Sequence, residues 1–225
     1  MQSKSSYKNI IFFSGVLLFL TLLLSAFAWA KIPEGTPVPL HWDINGEVDR
    51  YGSKAVGLLL APAIILFLTV LLIFIPRIEP RLENLRQSQK AYKTLWAVIL
   101  IFMAMIHLIT VLAALGYAFS MPMMMAFLLG VLFMAIGNYM GKIRSNFMVG
   151  IRTPWTLSSE DAWNKTHRLG GWLFFLIGAA LFLSGFSQQG KLIFSLLVSS
   201  LFFVVIFLYG YSYWIWREER ETKNA

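Results

Sequence analysis

The chain has 225 residues, 58% of them apolar, 16% aromatic and only 13% charged, and a mean hydropathy of +0.67. Soluble domains carry roughly 25% charged residues, so this balance excludes a soluble enzyme, a disordered regulator and an ordinary nucleic-acid binder, while the absence of cysteine excludes disulfides, thiolate metal sites and a cysteine nucleophile. The net charge of +8 fits either a polyanion partner or basic residues gathered on one side of membrane helices, and their positions decide.

A hydrocarbon core of about 30 Å takes about 20 apolar residues in helical conformation. Six uncharged runs fit such spans, at 10–30, 55–75, 95–117, 121–141, 172–186 and 192–216, the fifth being short. The expected fold class is an all-α polytopic membrane protein with six transmembrane helices. The first run follows Lys4 and Lys8 and ends on Ala28-Trp29-Ala30, a pattern similar to a secretory leader. Its length exceeds the roughly 7–15 residues of a signal h-region, so an uncleaved span is expected.

Between the first two spans, residues 40–44 and 47–51 alternate around Asn45-Gly46. Asn-Gly favours a type I′ turn, which predicts a β-hairpin with Ile44 opposite Glu47 and Trp42 opposite Asp49. A lone hairpin is marginal in water, so it should dock on helix ends, with Trp42 and Tyr51 as anchors. His41, Asp43 and Asp49 could ligate a metal, but the carboxylates also balance Arg50 and Lys54, which is the commoner role.

His107, in the third span, is the one ionisable group inside the expected spans. Its plainer role is a neutral imidazole bonded to a neighbouring helix with help from Thr110; a proton-carrying or ligand-reading role is the alternative. All 30 Asp, Glu, Lys and Arg residues fall outside the spans, which argues against an ion-coupled transporter. Met121, Met123, Met124 and Met125 crowd the turn before the fourth span, as packing residues or as an adaptable contact for an apolar peptide. Gly137-x-x-x-Gly141 would permit close helix approach.

The segment 141–171 has its own grammar. Ser158 with Asp161 approximates a capping box, Glu160 and Asp161 suit a helix start, and Gly170-Gly171 suits its end. A short helix over 159–169 follows, carrying Ala162, Trp163, Thr166 and Leu169 on one face and lying along the inner membrane surface. Thr153-Pro154-Trp155 reads as an extended turn before it. Tyr209, Tyr211, Tyr213, Trp214 and Trp216 mark the last span's exit through the headgroup layer.

Fifteen of the nineteen basic residues lie at the N-terminus, in the loops after spans two and four, and at the C-terminus. The positive-inside tendency then places both termini in the cytoplasm, with no need of a nucleic-acid partner. The chain divides as 1–94, two spans and the outer loop, and 95–225, four spans and the inner loop. His-Glu-x-x-His, Gly-x-Ser-x-Gly and P-loop patterns do not occur, and the three histidines sit at three different depths. Neither an enzyme nor a resident metal or cofactor is expected.

Pro39-Leu40-His41-Trp42, Asn45-Gly46 and Asp49-Arg50-Tyr51 resemble an outer-loop signature of the SdpI family, immunity proteins against a sporulation-delaying peptide toxin. Gly137-Asn138-Tyr139, Asn146, the run Gly150-Ile151-Arg152-Thr153-Pro154-Trp155-Thr156-Leu157, Trp163, Thr166-His167-Arg168 and Gly170-Gly171 are similar to its second, more specific signature. The resemblance implies a protein of the bacterial cell membrane that protects its producer from a secreted membrane-active peptide. In the best-known member it also implies capture of a small cytoplasmic winged-helix repressor at the membrane. Contact residues for toxin or partner would then be His41, Trp42, Asp43, Asn45, Gly46, Asp49 and Tyr51 outside, and His107 within the bilayer. Inside they would be Asn138, Arg144, Asn146, Gly150, Arg152, Thr153, Pro154, Trp155, Trp163, Thr166, His167 and Arg168. A small transporter or exporter is the alternative, with His107 lining a hydrated cavity.

Overall fold

The computed structural model describes residues 7–224; Lys4 of the leader-like pattern lies outside them. Lipid offers no partner to a backbone N–H or C=O, so each apolar run must close its hydrogen bonds within a helix. The elements are α1 (Lys8–Lys31), β1 (Val38–Trp42), β2 (Val48–Gly52), α2 (Lys54–Ile78), α3 (Leu82–Gln87), α4 (Gln89–Ala114), α5 (Met121–Met140), α6 (Pro154–Ser158), α7 (Glu160–Gly185) and α8 (Gly190–Asn224). Six of them, α1, α2, α4, α5, α7 and α8, are long and apolar enough to cross a membrane, as expected. Phe12, Phe67, Leu183 and Phe202 are each well over half exposed, a surface suited to lipid rather than water.

Two packing groups form. Helices α1, α2 and α4 enclose Ile10, Ile65, Leu85, Tyr92, Trp96 and Leu100 near one end and Ala28, Ile32, Leu58 and Val111 near the other. Helices α5, α7 and α8 enclose Ala126, Ile177, Leu181, Ile193, Val204 and Leu208, and α4 joins the groups by packing on α5.

The α5–α7 seam is the closest in the molecule because glycine meets glycine across it. A Cβ on Gly137 would stand 2.5 Å from the Gly171 carbonyl oxygen, and one on Gly130 2.8 Å from that of Gly178. The reverse substitutions meet the partner carbonyls at 2.7 and 2.6 Å. Gly141 of the expected Gly-x-x-x-Gly pair has more room, its nearest neighbour being Arg168 Cα at 3.4 Å. The seam therefore repeats every seven residues, at 130/137 and 171/178. Backbones that approach this closely gain dispersion contact along their length, the main source of helix association where lipid removes the hydrophobic drive.

This seam corrects the expected inner helix. Gly170 and Gly171 do not end a surface helix; they lie within α7, which runs unbroken from Glu160 to Gly185 and supplies the short fifth span with its missing turns. Its N-cap is Ser159, whose Oγ accepts from Ala162 N at 3.0 Å, not Ser158. Of Thr153-Pro154-Trp155 only Thr153 is extended, Pro154 and Trp155 being helical. Thr153 caps α6, with Pro154 in its first turn, in a reciprocal box with Thr156.

The hairpin is present, but with a different turn and register. Trp42 pairs with Val48 and His41 with Arg50, irregularly, instead of Trp42 with Asp49. Asp43 N donates to Glu47 O at 2.8 Å and Gly46 N to Asp43 O at 3.0 Å, and only Gly46 (φ +89°) has the positive φ that a type I′ turn requires at both central residues. The anchor is Val38, fully buried against Gly57 of α2, whereas Tyr51 is 55% exposed and Trp42 half-buried. The turn tip rests on the second packing group, with Gly46 against Pro122 and the Ile44 carbonyl against Gly190.

Candidate functional site

Most of the second signature folds into one polar knot at the end of the bundle opposite the hairpin. Trp163 is fully buried and its indole N–H donates to Ile143 O at 2.7 Å. One turn later His167 stacks on that indole, with ring centroids 3.9 Å apart. His167 Nδ1 lies 2.9 Å from Trp163 O, and Nε2 lies 2.9 Å from Ile151 N. A carbonyl only accepts and a backbone N–H only donates, so the hydrogen sits on Nδ1. Gly150 (φ +121°) passes directly over Nε2, where a Cβ would collide with it.

Asn146 is buried and ties the loop to itself. Its Nδ2 donates to Arg144 O at 2.9 Å and Val149 O at 3.0 Å, and its Oδ1 accepts from Met148 N at 2.9 Å and Val149 N at 2.7 Å. Thr156 Oγ1 donates to Ile151 O at 2.8 Å and accepts from Thr153 N at 2.9 Å, while Thr153 Oγ1 meets Ser212 Oγ of α8 at 3.0 Å. Trp155 packs edge-on to Tyr209 and beside Tyr213, at 4.7 and 5.1 Å. Part of the terminal aromatic cluster thus holds the loop. Thr166 is buried with its hydroxyl unpaired.

The loop after α2 supplies partners that no local pattern announced. Buried Glu79 accepts from Phe147 N at 3.0 Å and Arg81 N at 2.8 Å. Arg81 bonds Ser145 Oγ and, at 2.8 Å, Leu157 O, and lies 4.6 Å over the Phe147 ring. Asn84 donates to Ser145 O, and Ser88 Oγ accepts from Arg144 N, both at 2.8 Å. Ser159 Oγ also donates to Glu219 of α8. The knot thereby clamps α2, α3 and α4 to α7 and α8. Of the residues named there from sequence, Asn146, Thr153, Thr156, Trp163, Thr166 and His167 are interior struts. Asn138, Arg144, Arg152, Pro154 and Arg168 face outward, Arg152 donating to Phe147 O at 2.7 Å.

At the hairpin, His41 Nδ1 and Asp49 Oδ1 pair at 2.6 Å, both about half exposed. Asp43 is engaged elsewhere, one carboxylate oxygen accepting from Asn45 N and Glu47 N at 2.9 Å. The Glu47 N–H, chiefly, holds its carboxyl below the usual carboxylate range. Among the described residues no three His, Asp or Glu side chains are placed to hold a metal ion. Lys54, buried at the start of α2, pairs with Glu34 at 2.9 Å.

His107 is fully buried among α1, α2 and α4. Its Nε2 lies 3.0 Å from Ser25 Oγ and 3.2 Å from Thr21 O, and Ser25 in turn donates to Leu58 O at 2.6 Å. The neighbouring-helix bond expected from sequence is made, but Thr110 takes no part and donates to Ile106 O of its own helix. Nδ1 is buried without a partner.

Both segments coincide with matches to known proteins. Residues 16–66, which contain the hairpin, match the model of a domain of unknown function, DUF1648, and residues 142–212, which contain the knot, match that of the SdpI/YfhL protein family. The immunity protein SdpI of Bacillus subtilis (strain 168) is 25% identical over 211 residues, 92% of this chain and 96% of the relative. No solved structure matches.

Proposed function

The chain belongs to the SdpI family, and on that premise we propose that it is a membrane immunity protein, protecting its bearer from a secreted membrane-active peptide. The observation that carries this reading is the similarity over nearly the whole of both chains, including the hairpin and the knot together. In this reading the hairpin faces outward and meets the peptide through His41, Asp49 and Tyr51, while the knot and both termini face the cytoplasm. Exposed Arg144 and Arg152 would then form the contact for a small repressor, and protection requires no catalysis. A transporter would need His107 on a hydrated path, whereas here it is sealed between helices. The test is survival: a toxin-sensitive strain lacking its own immunity gene should grow beside a producer once it expresses this chain, and killing at the control rate would contradict the reading. Trp155→Ala and Arg152→Ala, at matched membrane levels, should reduce protection; full protection by both would remove the knot from the mechanism.

A further inference from the structure

Where the α5–α7 seam reaches the knot, the glycines that let the helices touch also leave a groove of about 460 Å³ open to the surface. Gly137, Gly141 and Gly171 contribute no side chains to it, and Asn138, Lys142, Arg168, Trp172 and Phe175 complete its lining. No acidic residue lines it. Arg168 is exposed and, among the described residues, its guanidinium makes no hydrogen bond, ion pair or ring contact. Lys142 Nζ has only a long 3.4 Å bond to Asn138 Oδ1 and a 4.6 Å approach to the Tyr139 ring. Two cations and an amide thus converge with little of their hydrogen-bonding capacity used.

The order of groups along α7 identifies the occupant. Arg168, Trp172 and Phe175 are spaced by four and then three residues, so they share one face. Trp172 is 65% and Phe175 39% exposed. Charge, then indole, then phenyl is the sequence met on passing from water through the headgroups into hydrocarbon. We propose that the groove binds one anionic phosphoglyceride, its phosphate held by Lys142, Arg168 and Asn138 and its chains laid on Trp172 and Phe175. Basic pockets between helix ends suit such headgroups. A choline headgroup would bring a cation against Lys142 and Arg168 and is disfavoured.

Native mass spectrometry of the full-length protein, released from micelles containing equal phosphatidylglycerol and phosphatidylcholine of identical chains, tests this. One phosphatidylglycerol should be retained in roughly thirtyfold preference, on the scale of two basic contacts to an anionic lipid. The preference should vanish in Lys142→Gln/Arg168→Gln and survive in Lys90→Gln/Arg144→Gln, which removes equal charge from the same end. Gly141→Leu keeps both cations but should exclude the lipid by filling the groove. Equal retention of the two lipids by the wild type would overturn the proposal even if the variants fail to fold. So would preference persisting in both groove variants, or displacement of the lipid by inorganic phosphate alone at matched concentration.

Discussion

Asn146 shows how much of the knot depends on single side chains. Replacing it by Ala leaves the N–H groups of Met148 and Val149 and the Arg144 carbonyl without its bonds. A buried unpaired group costs about 1–3 kcal/mol, so Asn146→Ala should destabilise by on the order of 2 kcal/mol and lower the melting temperature in detergent, read by scanning fluorimetry; an unchanged melt would mean that the loop closes without it. Asp43 gives a pH dependence of known sign. Its folded carboxyl lies below its unfolded range, so the turn's added stability is present above that range and lost as pH falls through the folded value. The protection factors of the Asn45 and Glu47 amides, taken relative to their intrinsic base-catalysed exchange rates, should fall on acidification in the wild type, and the fall should be absent from Asp43→Asn; identical profiles would contradict the assignment. At this scale the sequence located the knot's residues through a resemblance but disclosed neither their burial nor their partners. Glu79 and Phe147 stand 68 positions apart, and nothing in either neighbourhood marks the bond between them.

Helix existence was legible because six runs without charge admit one structure in lipid. Boundaries failed where one residue type serves two purposes. Gly170-Gly171 is a local stop signal, yet here glycine lets α5 and α7 touch, and the helix continues because its neighbour replaces what the missing side chains do not supply. The distinguishing sign was present in the spacing: Gly171, Gly178 and Gly185 recur every seven residues on α7. Asn45-Gly46 misled in the same manner, since Asp43 offers its carboxylate to two turn N–H groups and stabilises a wider loop. A Cβ at Gly178 would stand 2.6 Å from the Gly130 carbonyl. Gly178→Leu should therefore separate the helices at a cost of several kcal/mol, more than ordinary overpacking because the obstacle is backbone. Yield after extraction and the melting temperature should both fall, whereas Gly15→Leu, facing open space on α1, should leave them unchanged. A melt unaffected by Gly178→Leu would refute the seam.

The whole molecule joins two signature segments on opposite ends of one bundle. The hairpin bridges both packing groups at one end, through Gly57 and through Gly190, and the knot clamps them at the other. In the proposed reading the hairpin end meets the peptide outside the cell and the knot end meets a partner inside, and the account stands on that division of sides. The natural absence of cysteine makes it directly measurable. Asn45→Cys, in the exposed turn, and Ser158→Cys, on the exposed face of α6, can each be treated with a membrane-impermeant maleimide in intact cells and again after lysis. The Asn45→Cys chain should label in intact cells and the Ser158→Cys chain only after lysis; labelling of Ser158→Cys in intact cells, or protection of Asn45→Cys until lysis, would contradict the account.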